Sequence, residues 1–367
     1  MRRQLTGEDV PAAMIGGLLL SAGGSSRTRS LERHDLAADV ALGYGEVTLA
    51  SLDTLPEDGY LLVSTSVGAP GFAEPELHLR DHVEAARTLV ARIGRRPAGV
   101  ICGHVPGFNA WLVAAALDIP YVDAAANGRG HPTVKMGGMG LASRSDISII
   151  QVAQAGYAES GSRLSVVAEG NLVKTSQTMR HAAMISGGLV ASARGPYEVG
   201  FVAHNGASGA IGFQLALGEA MLGAAPGIGR IEAATRFLSG ENLLTGTVTA
   251  NDVAYRDGFD VGYVTVSHGT RSVRLGVFNE FMTADDGDER RATFPDLICA
   301  LEPDTGEPLA IAQMPIGTAA AIVIADRRGF PLGQGVFDPL VFREVEGGLE
   351  TELYAHLDLN GEKTRPC

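Results

Sequence analysis

The sequence predicts an α/β protein whose N-terminal domain holds a parallel sheet and whose C-terminal domain is rich in β-strands. In the first half of the chain, apolar strand patterns alternate with helical patterns, which favours a parallel sheet covered on both faces. In the second half, short apolar or alternating runs follow one another between turn signals. We therefore predict two domains, residues 1–168 and 169–367.

The N-terminal elements follow from capping signals and apolar spacing. Thr6, with Asp9 three residues later, precedes a run of spaced apolar residues and predicts a first helix with Pro11 in its opening turn. Strands are predicted in residues 46–51 and 60–66. A second helix is predicted over residues 76–93, where Leu79, Val83, Ala86, Val90 and Ile93 share one face.

The next unit repeats this alternation, with a strand over residues 98–103, a helix over 107–118 and a strand over 119–123. In open parallel sheets, ligands bind where strands end and loops begin. The loops at 68–71, 103–109 and 123–131 are therefore predicted to meet at one rim of the sheet.

The second half predicts further helices and then strands. The helical patterns cover residues 172–193 and 208–225, and the strand patterns cover 245–252, 260–268, 271–281, 296–303 and 319–327. Asn279 and Glu280 fall inside one of these strands, where adjacent side chains face opposite ways. Only one of the two is therefore expected to line a pocket.

Composition excludes several classes of function. The formal charge of −13 and the pI of about 5.1 argue against a nucleic-acid partner. No apolar run approaches the roughly 20 residues of a membrane span. Three widely spaced cysteines, Cys102, Cys299 and Cys367, indicate a reducing compartment, so we expect a cytoplasmic protein.

The glycine-rich stretch "SAGGSSRTRS" resembles an anion-binding loop but lies in the wrong context for a nucleotide. Its glycines follow a helix, and the lysine of a Walker loop is missing. No nucleotide is expected. Gly23 and Gly24 are instead predicted to line a substrate site, together with Gly68 of the following rim loop.

The strongest candidate chemistry comes from polar residues of two rim loops. These residues are His104, Asn109, Asp123, Asn127, Arg129 and His131. Such a set could hold a divalent metal, or Arg129 could bind a substrate carboxylate while a histidine moves protons. The alternative is structural: Asp123 caps the turn that follows it and Arg129 pairs with Asp123.

The order of motifs resembles one protein family over nearly the entire chain. "LTGEDV", "LSAGGSS", "GHVPGFNA", "IPYVDAAANGRGHP", "VFNEF" and "FPDLICALEPDTGEPL" are similar to motifs of the S-methyl-thiohydantoin desulfurase-like family. The resemblance implies a Rossmann-like N-terminal domain and a β-rich C-terminal domain. It also implies hydrolytic chemistry on a five-membered cyclic ureide or its sulfur analogue.

The chain departs from this family pattern at several acidic positions. The family usually has an aspartate after a four-glycine run, a Glu-Lys pair after the Gly-Ala-Pro loop, a glutamate, a second rim aspartate and a phenylalanine. Here those positions hold Arg27, Pro75 with Glu76, His104, Ala125 and His131. An imidazole replaces a carboxylate only as a general base or as a ligand for softer metals such as zinc.

We therefore expect an enzyme that acts on a small cyclic amide, imide or thiohydantoin-like compound. His104, Asp123 and His131 would be the catalytic residues or the ligands of a zinc ion, and Asn109, Asn127 and Arg129 would hold the substrate. The alternative is a non-catalytic subunit that pairs with a more typical family member. A homo-oligomer is compatible with either function.

Overall fold

The computed structural model describes residues 1–25, 34–69 and 76–357. Arg27, Pro75, Cys367 and the second half of the predicted 68–71 loop lie outside these ranges. Within them the fold is mixed α/β with two nine-stranded sheets, which confirms the predicted α/β class.

The first sheet combines parallel and antiparallel strands. Its strands are β1 (Arg2–Leu5), β2 (Val47–Ala50), β3 (Tyr60–Gly68), β4 (Gly99–Cys102), β5 (Tyr121–Ala125), β6 (Ile149–Ala155), β7 (Leu164–Gly170), β8 (Leu189–Glu198) and β9 (Ala207–Ser208). They are ordered β1-β2-β5-β4-β3-β8-β6-β7, with β9 beside β5. Because β2, β5, β4 and β3 run parallel, their carboxyl ends share one rim. The Rossmann-like arrangement as such stays a prediction.

Helices cover both faces of this sheet. The α-helices among the described residues are α1 (Val10–Leu20), α2 (His34–Tyr44), α3 (Leu79–Ile93), α4 (Phe108–Leu117), α5 (Leu172–Met184), α6 (Val199–Asn205), α7 (Ala210–Leu222), α8 (Ile228–Phe237) and α9 (Pro339–Leu349). On one face, α3 and α4 pack on Leu62 and Val100. On the other, α5 and α6 pack on Leu61 and Ile101. This burial on both faces explains why β4 is apolar throughout.

Both predicted N-terminal helices form, with small differences at their first residues. Pro11 lies in the first turn of α1, as expected. The second predicted helix begins at Leu79 rather than at residue 76, and just before it the His78 amide donates to the Asp81 carboxylate at 2.8 Å. It ends at Gly94, whose left-handed φ of 78° stops the helix.

The helix predicted over residues 172–193 is wrong in its second half. Helix α5 ends at Met184, and Gly187 and Gly188 follow with φ values of 69° and 94°. These left-handed conformations break the helical path. The chain then forms β8, which inserts between β3 and β6 of the first sheet. The first sheet thus takes strands from both sides of the predicted boundary at residue 169, which stays a prediction.

The second sheet is antiparallel. Its strands are β10 (Glu241–Asn251), β11 (Ala254–Arg256), β12 (Phe259–His268), β13 (Arg271–Phe278), β14 (Glu280–Asp286), β15 (Glu289–Thr293), β16 (Leu297–Leu301), β17 (Pro308–Leu309) and β18 (Ala319–Ala325). The prediction of one strand over residues 271–281 is wrong, because the chain reverses at Asn279, with φ 59°, and Phe278 pairs with Glu280. Asn279 and Glu280 can therefore face the same site.

The two sheets are joined by hydrogen bonds near the end of α1. The Phe281 amide donates to the Ala22 carbonyl at 2.9 Å, and the Ile311 amide donates to the Gly23 carbonyl at 3.0 Å. The β13–β14 turn is thereby held against the rim of the first sheet. Across the described ranges, no helix is long and apolar enough to span a membrane.

Candidate functional site

A cavity of about 60 Å³ lies where the rim of the first sheet meets the β13–β14 turn. We call it the inner cavity. Its polar lining includes His104, His131, Arg180, Arg194, Asn279 and Glu280. By this measure of volume a water needs roughly 10–15 Å³, so the space suits a small ring. The cavity thus combines titratable groups from both halves of the chain.

Two imidazoles form one wall of the inner cavity. The rings of His104 and His131 are 5.2 Å apart between centroids and meet edge to face at 77°. Burial and the neighbouring His104 hold the pKa of His131 well below its usual value. Nδ1 of His131 lies 3.3 Å from the Arg129 carbonyl oxygen, which can only accept a hydrogen bond. His131 is therefore neutral at neutral pH, with Nε2 left as the basic nitrogen.

Glu280 places a buried carboxyl group in the same cavity. Its side chain is 3% exposed, and Oε2 has no hydrogen-bond partner within the described structure. Burial raises the pKa of Glu280 to about 8, although Arg129 and Arg180 act in the opposite direction. The carboxyl group is therefore mostly protonated at neutral pH.

Two arginines complete the polar lining. Arg194 of β8 is 1% exposed, and its Nη2 donates to the Gly137 carbonyl. Arg180 of α5 donates to the carbonyls of Gly258 and Pro132 at 2.9 and 2.8 Å. Its guanidinium carbon lies 4.0 Å from the ring centroid of Phe259. Within the described ranges, neither arginine forms an ion pair with a carboxylate.

A second, more open cavity of about 360 Å³ adjoins the first. Thr133 and Arg180 contribute to the walls of both. The outer cavity is also lined by Lys135 and Glu344, which form an ion pair at 2.5 Å. Arg180 therefore stands between the inner cavity and a wider, polar space.

Asp123 does not join the two histidines. Its Oδ1 accepts hydrogen bonds from the amides of Ile211 and Gly212, both at 2.9 Å, in the first turn of α7. The carboxylate thus caps α7, rather than the turn that follows Asp123. Across the residues that the structure describes, no group of three or more His, Cys, Asp and Glu side chains is placed to hold a metal ion. The predicted zinc ligand set of His104, Asp123 and His131 is therefore not assembled.

Three other predicted site residues have their polar groups bonded within the protein, and two of them, Arg129 and Asn127, hold the rim loop in place. Arg129 does not pair with Asp123 but donates to the carbonyls of Asp296 and Phe281, at 2.6 and 2.9 Å. Asn127 donates to the Arg129 carbonyl at 2.9 Å and accepts from the Gly333 amide. Asn109 accepts from the adjacent Ala110 amide. None of the three lines the inner cavity.

Two of the three glycines predicted to line the site do line the inner cavity, and the third packs beside it. Gly24 and Gly68 line the inner cavity. A Cβ atom on Gly24 would lie 2.6 Å from Oε1 of Glu280, so glycine makes room for the carboxyl group. Gly23 instead packs against Phe281, where a Cβ would lie 2.7 Å from the ring.

Sequence reasoning missed Glu280, Arg180 and Arg194 as site residues. Arg194 carried a detectable signal, because a charged residue inside the apolar run "LVASARGPY" requires a polar partner or a polar cavity. The "FNEF" motif drew attention to Glu280, but the assumed single strand concealed the turn. Arg180 gave no local signal in its amphipathic helix.

Comparison with known proteins identifies relatives of the whole chain. The model described as "S-Me-THD-like, N-terminal domain" matches residues 8–159, and "S-Me-THD-like, C-terminal domain" matches residues 170–328. A crystal structure of a protein from Chromobacterium violaceum shares 20% identity, covers 94% of this chain and 96% of its own, and has a TM-score of 0.66. That likeness shows a shared fold. No curated protein matches the chain.

Proposed function

This chain belongs to the S-Me-THD-like family, and from that premise we propose that it is an enzyme that hydrolyses a thiohydantoin-like or hydantoin-like ring in the inner cavity. The carboxyl ends of β3 and β4 supply Gly68 and His104 to this cavity. Ligands of open sheets with parallel strands bind at this end of the strands, which supports the proposal.

One observation supports the chemistry above all others: His131 and Glu280 line one cavity with pKa values displaced in opposite directions. At neutral pH the imidazole is a free base and the carboxyl group is an acid. Pairs of titratable groups separated in this way suit general base and general acid catalysis. His131 is the proposed base, and Glu280 is the proposed acid.

The reaction balances with water as the co-substrate. Nε2 of His131 takes a proton from water as its oxygen bonds to the ring carbon that bears the leaving group. Glu280 donates its proton to the leaving atom, the sulfur of an S-methyl group or a ring nitrogen. The carbon–sulfur bond then breaks to release methanethiol, or the carbon–nitrogen bond breaks to open the ring. Proton return from His131 to Glu280 restores both groups.

Zinc remains a prediction without a complete ligand set. Two imidazoles approach each other, and Asp123, the proposed third ligand, is bonded to α7. The proposed steps therefore use only residues of the chain.

Turnover of synthetic rings tests the proposal directly. The purified chain would be given S-methylated thiohydantoins, thiohydantoins and hydantoins, with thiol release followed by a thiol reagent and ring opening by mass spectrometry. We expect turnover that is lost in His131→Ala. We also expect a rate that falls above about pH 8, where Glu280 loses its proton, and below the lowered pKa of His131.

A lack of turnover on every ring would contradict an enzyme that acts alone. The alternative function is a partner subunit, favoured by the replacement of family acidic positions by His104 and Ala125. Turnover that appears only after a second family member is added would support that role.

A further inference from the structure

The inner cavity contains cationic groups whose bonding capacity is not used. Arg194 is 1% exposed, lines the cavity and donates to one carbonyl, that of Gly137, and no carboxylate pairs with it within the described structure. A guanidinium group has five N–H donors and remains charged in proteins. Burying such a charge without a counter-ion is costly, so a missing anion is the simplest complement.

Arg180 adds a second cation to the same wall. Two of its five donors are used by the Gly258 and Pro132 carbonyls, which leaves three. Neutral carbonyls orient the guanidinium but do not cancel its charge. Glu344, the acidic group with the largest effect on the Arg180 pKa, lies on the outer cavity and is paired with Lys135.

Glu280 does not supply the missing negative charge at neutral pH. Burial keeps its carboxyl group largely protonated, and Oε2 is buried without a partner. A protonated carboxyl group can donate a hydrogen bond to an anion. His131 is neutral under the same conditions. The lining of the inner cavity therefore carries two positive charges and one acidic donor.

We propose that the inner cavity is an anion site in which Arg194 and Arg180 bind a planar anion and Glu280 donates a hydrogen bond to it. The fork of a guanidinium group matches two acceptor atoms in one plane. Two sources share this chemistry: the ionised imide of a hydantoin-like ring, or a carboxylate attached to that ring. The inference deepens the proposed function, on which it rests for the identity of the ring.

Binding measurements on the full chain separate the two sources without requiring turnover. Calorimetric titration at pH 7.5 would use a cyclic imide with a free ring N–H, its N-methylated form, an N-methylated form that carries a carboxylate, and acetate. Tight binding of the first alone, with a proton released to the buffer on binding, identifies the ionised ring. Tight binding of the third shows that the methyl group fits and identifies the carboxylate.

Matched arginine variants test which residues hold the anion. Arg194→Gln is expected to lower the affinity for the anionic ligand at least tenfold. Its affinity for the neutral N-methylated ring should stay within about twofold of the parent's. Arg144→Gln is the control, because Arg144 is exposed and paired with Asp146. If Arg194→Gln does not fold, as judged by thermal unfolding, Arg180→Gln serves as the second variant.

The outcomes distinguish this inference from the proposed function. Equal affinity for neutral and anionic ligands, or an unchanged preference in both arginine variants, would overturn the anion site even if rings are hydrolysed. Selective anion binding without turnover of any ring would support the anion site while contradicting the hydrolase.

Discussion

Asp123 and Glu280 are both carboxyl groups at the meeting of the two halves of the chain, yet their surroundings are opposite. Asp123 accepts two backbone hydrogen bonds at the first turn of α7. Glu280 is 3% exposed and leaves Oε2 without a partner in the described structure. A carboxylate with its bonds satisfied stabilises structure, whereas a buried and unsatisfied one is a candidate for chemistry.

The arginines repeat this contrast. Arg129 donates to the carbonyls of Phe281 in β14 and of Asp296 just before β16, and its guanidinium carbon lies 4.7 Å from the Phe294 ring centroid. Arg194 donates to one carbonyl, that of Gly137, and lines the inner cavity, which Arg129 does not. The rim loop predicted to be catalytic thus supplies much of the support, and residues from β8 and the β13–β14 turn supply much of the reactive lining.

The largest expected effect is a difference in turnover between variants of Glu280 and of Asp123. Glu280→Gln keeps the size of the side chain but removes the transferable proton, so turnover should fall by roughly 10²–10⁴-fold. Asp123→Asn, the matched control, should change turnover by less than about tenfold. Steady-state rates on a ring substrate measure both variants. A Glu280→Gln enzyme as active as the parent would break the contrast.

The arginines should differ next, in stability. Arg129→Met leaves the Asp296 and Phe281 carbonyls without donors and should lower the free energy of unfolding by about 2–4 kcal/mol. Arg194→Met removes an uncompensated buried charge along with one hydrogen bond. Its decrease in unfolding free energy should therefore be smaller than that of Arg129→Met by at least about 1 kcal/mol. Urea unfolding compares the two, and equal losses would contradict the assigned roles.

The pH dependence of stability sharpens the assignment of Glu280. In the unfolded chain its carboxyl group ionises near its ordinary value, while in the folded chain the proton stays until about pH 8. The folded state binds more protons in that window, so the parent should lose stability relative to Glu280→Gln as pH rises from about 4.5 to 8. The difference should reach a few kcal/mol and level off above pH 8.

Denaturant unfolding of both proteins at several pH values measures this difference. A gap between parent and variant that does not change with pH would contradict the raised pKa of Glu280.

The smallest effect concerns the cap of α7. Asp123→Ala removes the acceptor of the Ile211 and Gly212 amides and should cost about 0.5–2 kcal/mol of unfolding free energy. Turnover of the folded variant should stay within a few-fold of the parent. Loss of turnover without loss of stability would return Asp123 to the catalytic set.

Local patterns predicted the helices and strands well where all the signals for an element lie within that element. Helix α3 follows its apolar stripe and ends at Gly94, and β4 follows its apolar run. The errors occurred at residues 187–188 and 279, where left-handed backbone turns an apparently continuous segment. Two glycines mark the first of these turns in the sequence. No glycine marks the second, where Asn279 itself adopts the positive φ.

Periodicity, capping and motif order in the sequence were enough to predict the α/β class, most element boundaries, the family and the presence of His104 and His131 near one rim. Which polar groups meet depends on the tertiary fold. The pairing of β8 with β3 brings in Arg194, the β13–β14 turn brings in Glu280, and α7 takes the carboxylate of Asp123. Long-range pairing and the competition for hydrogen-bond partners set these outcomes, and neither leaves a local pattern in the chain.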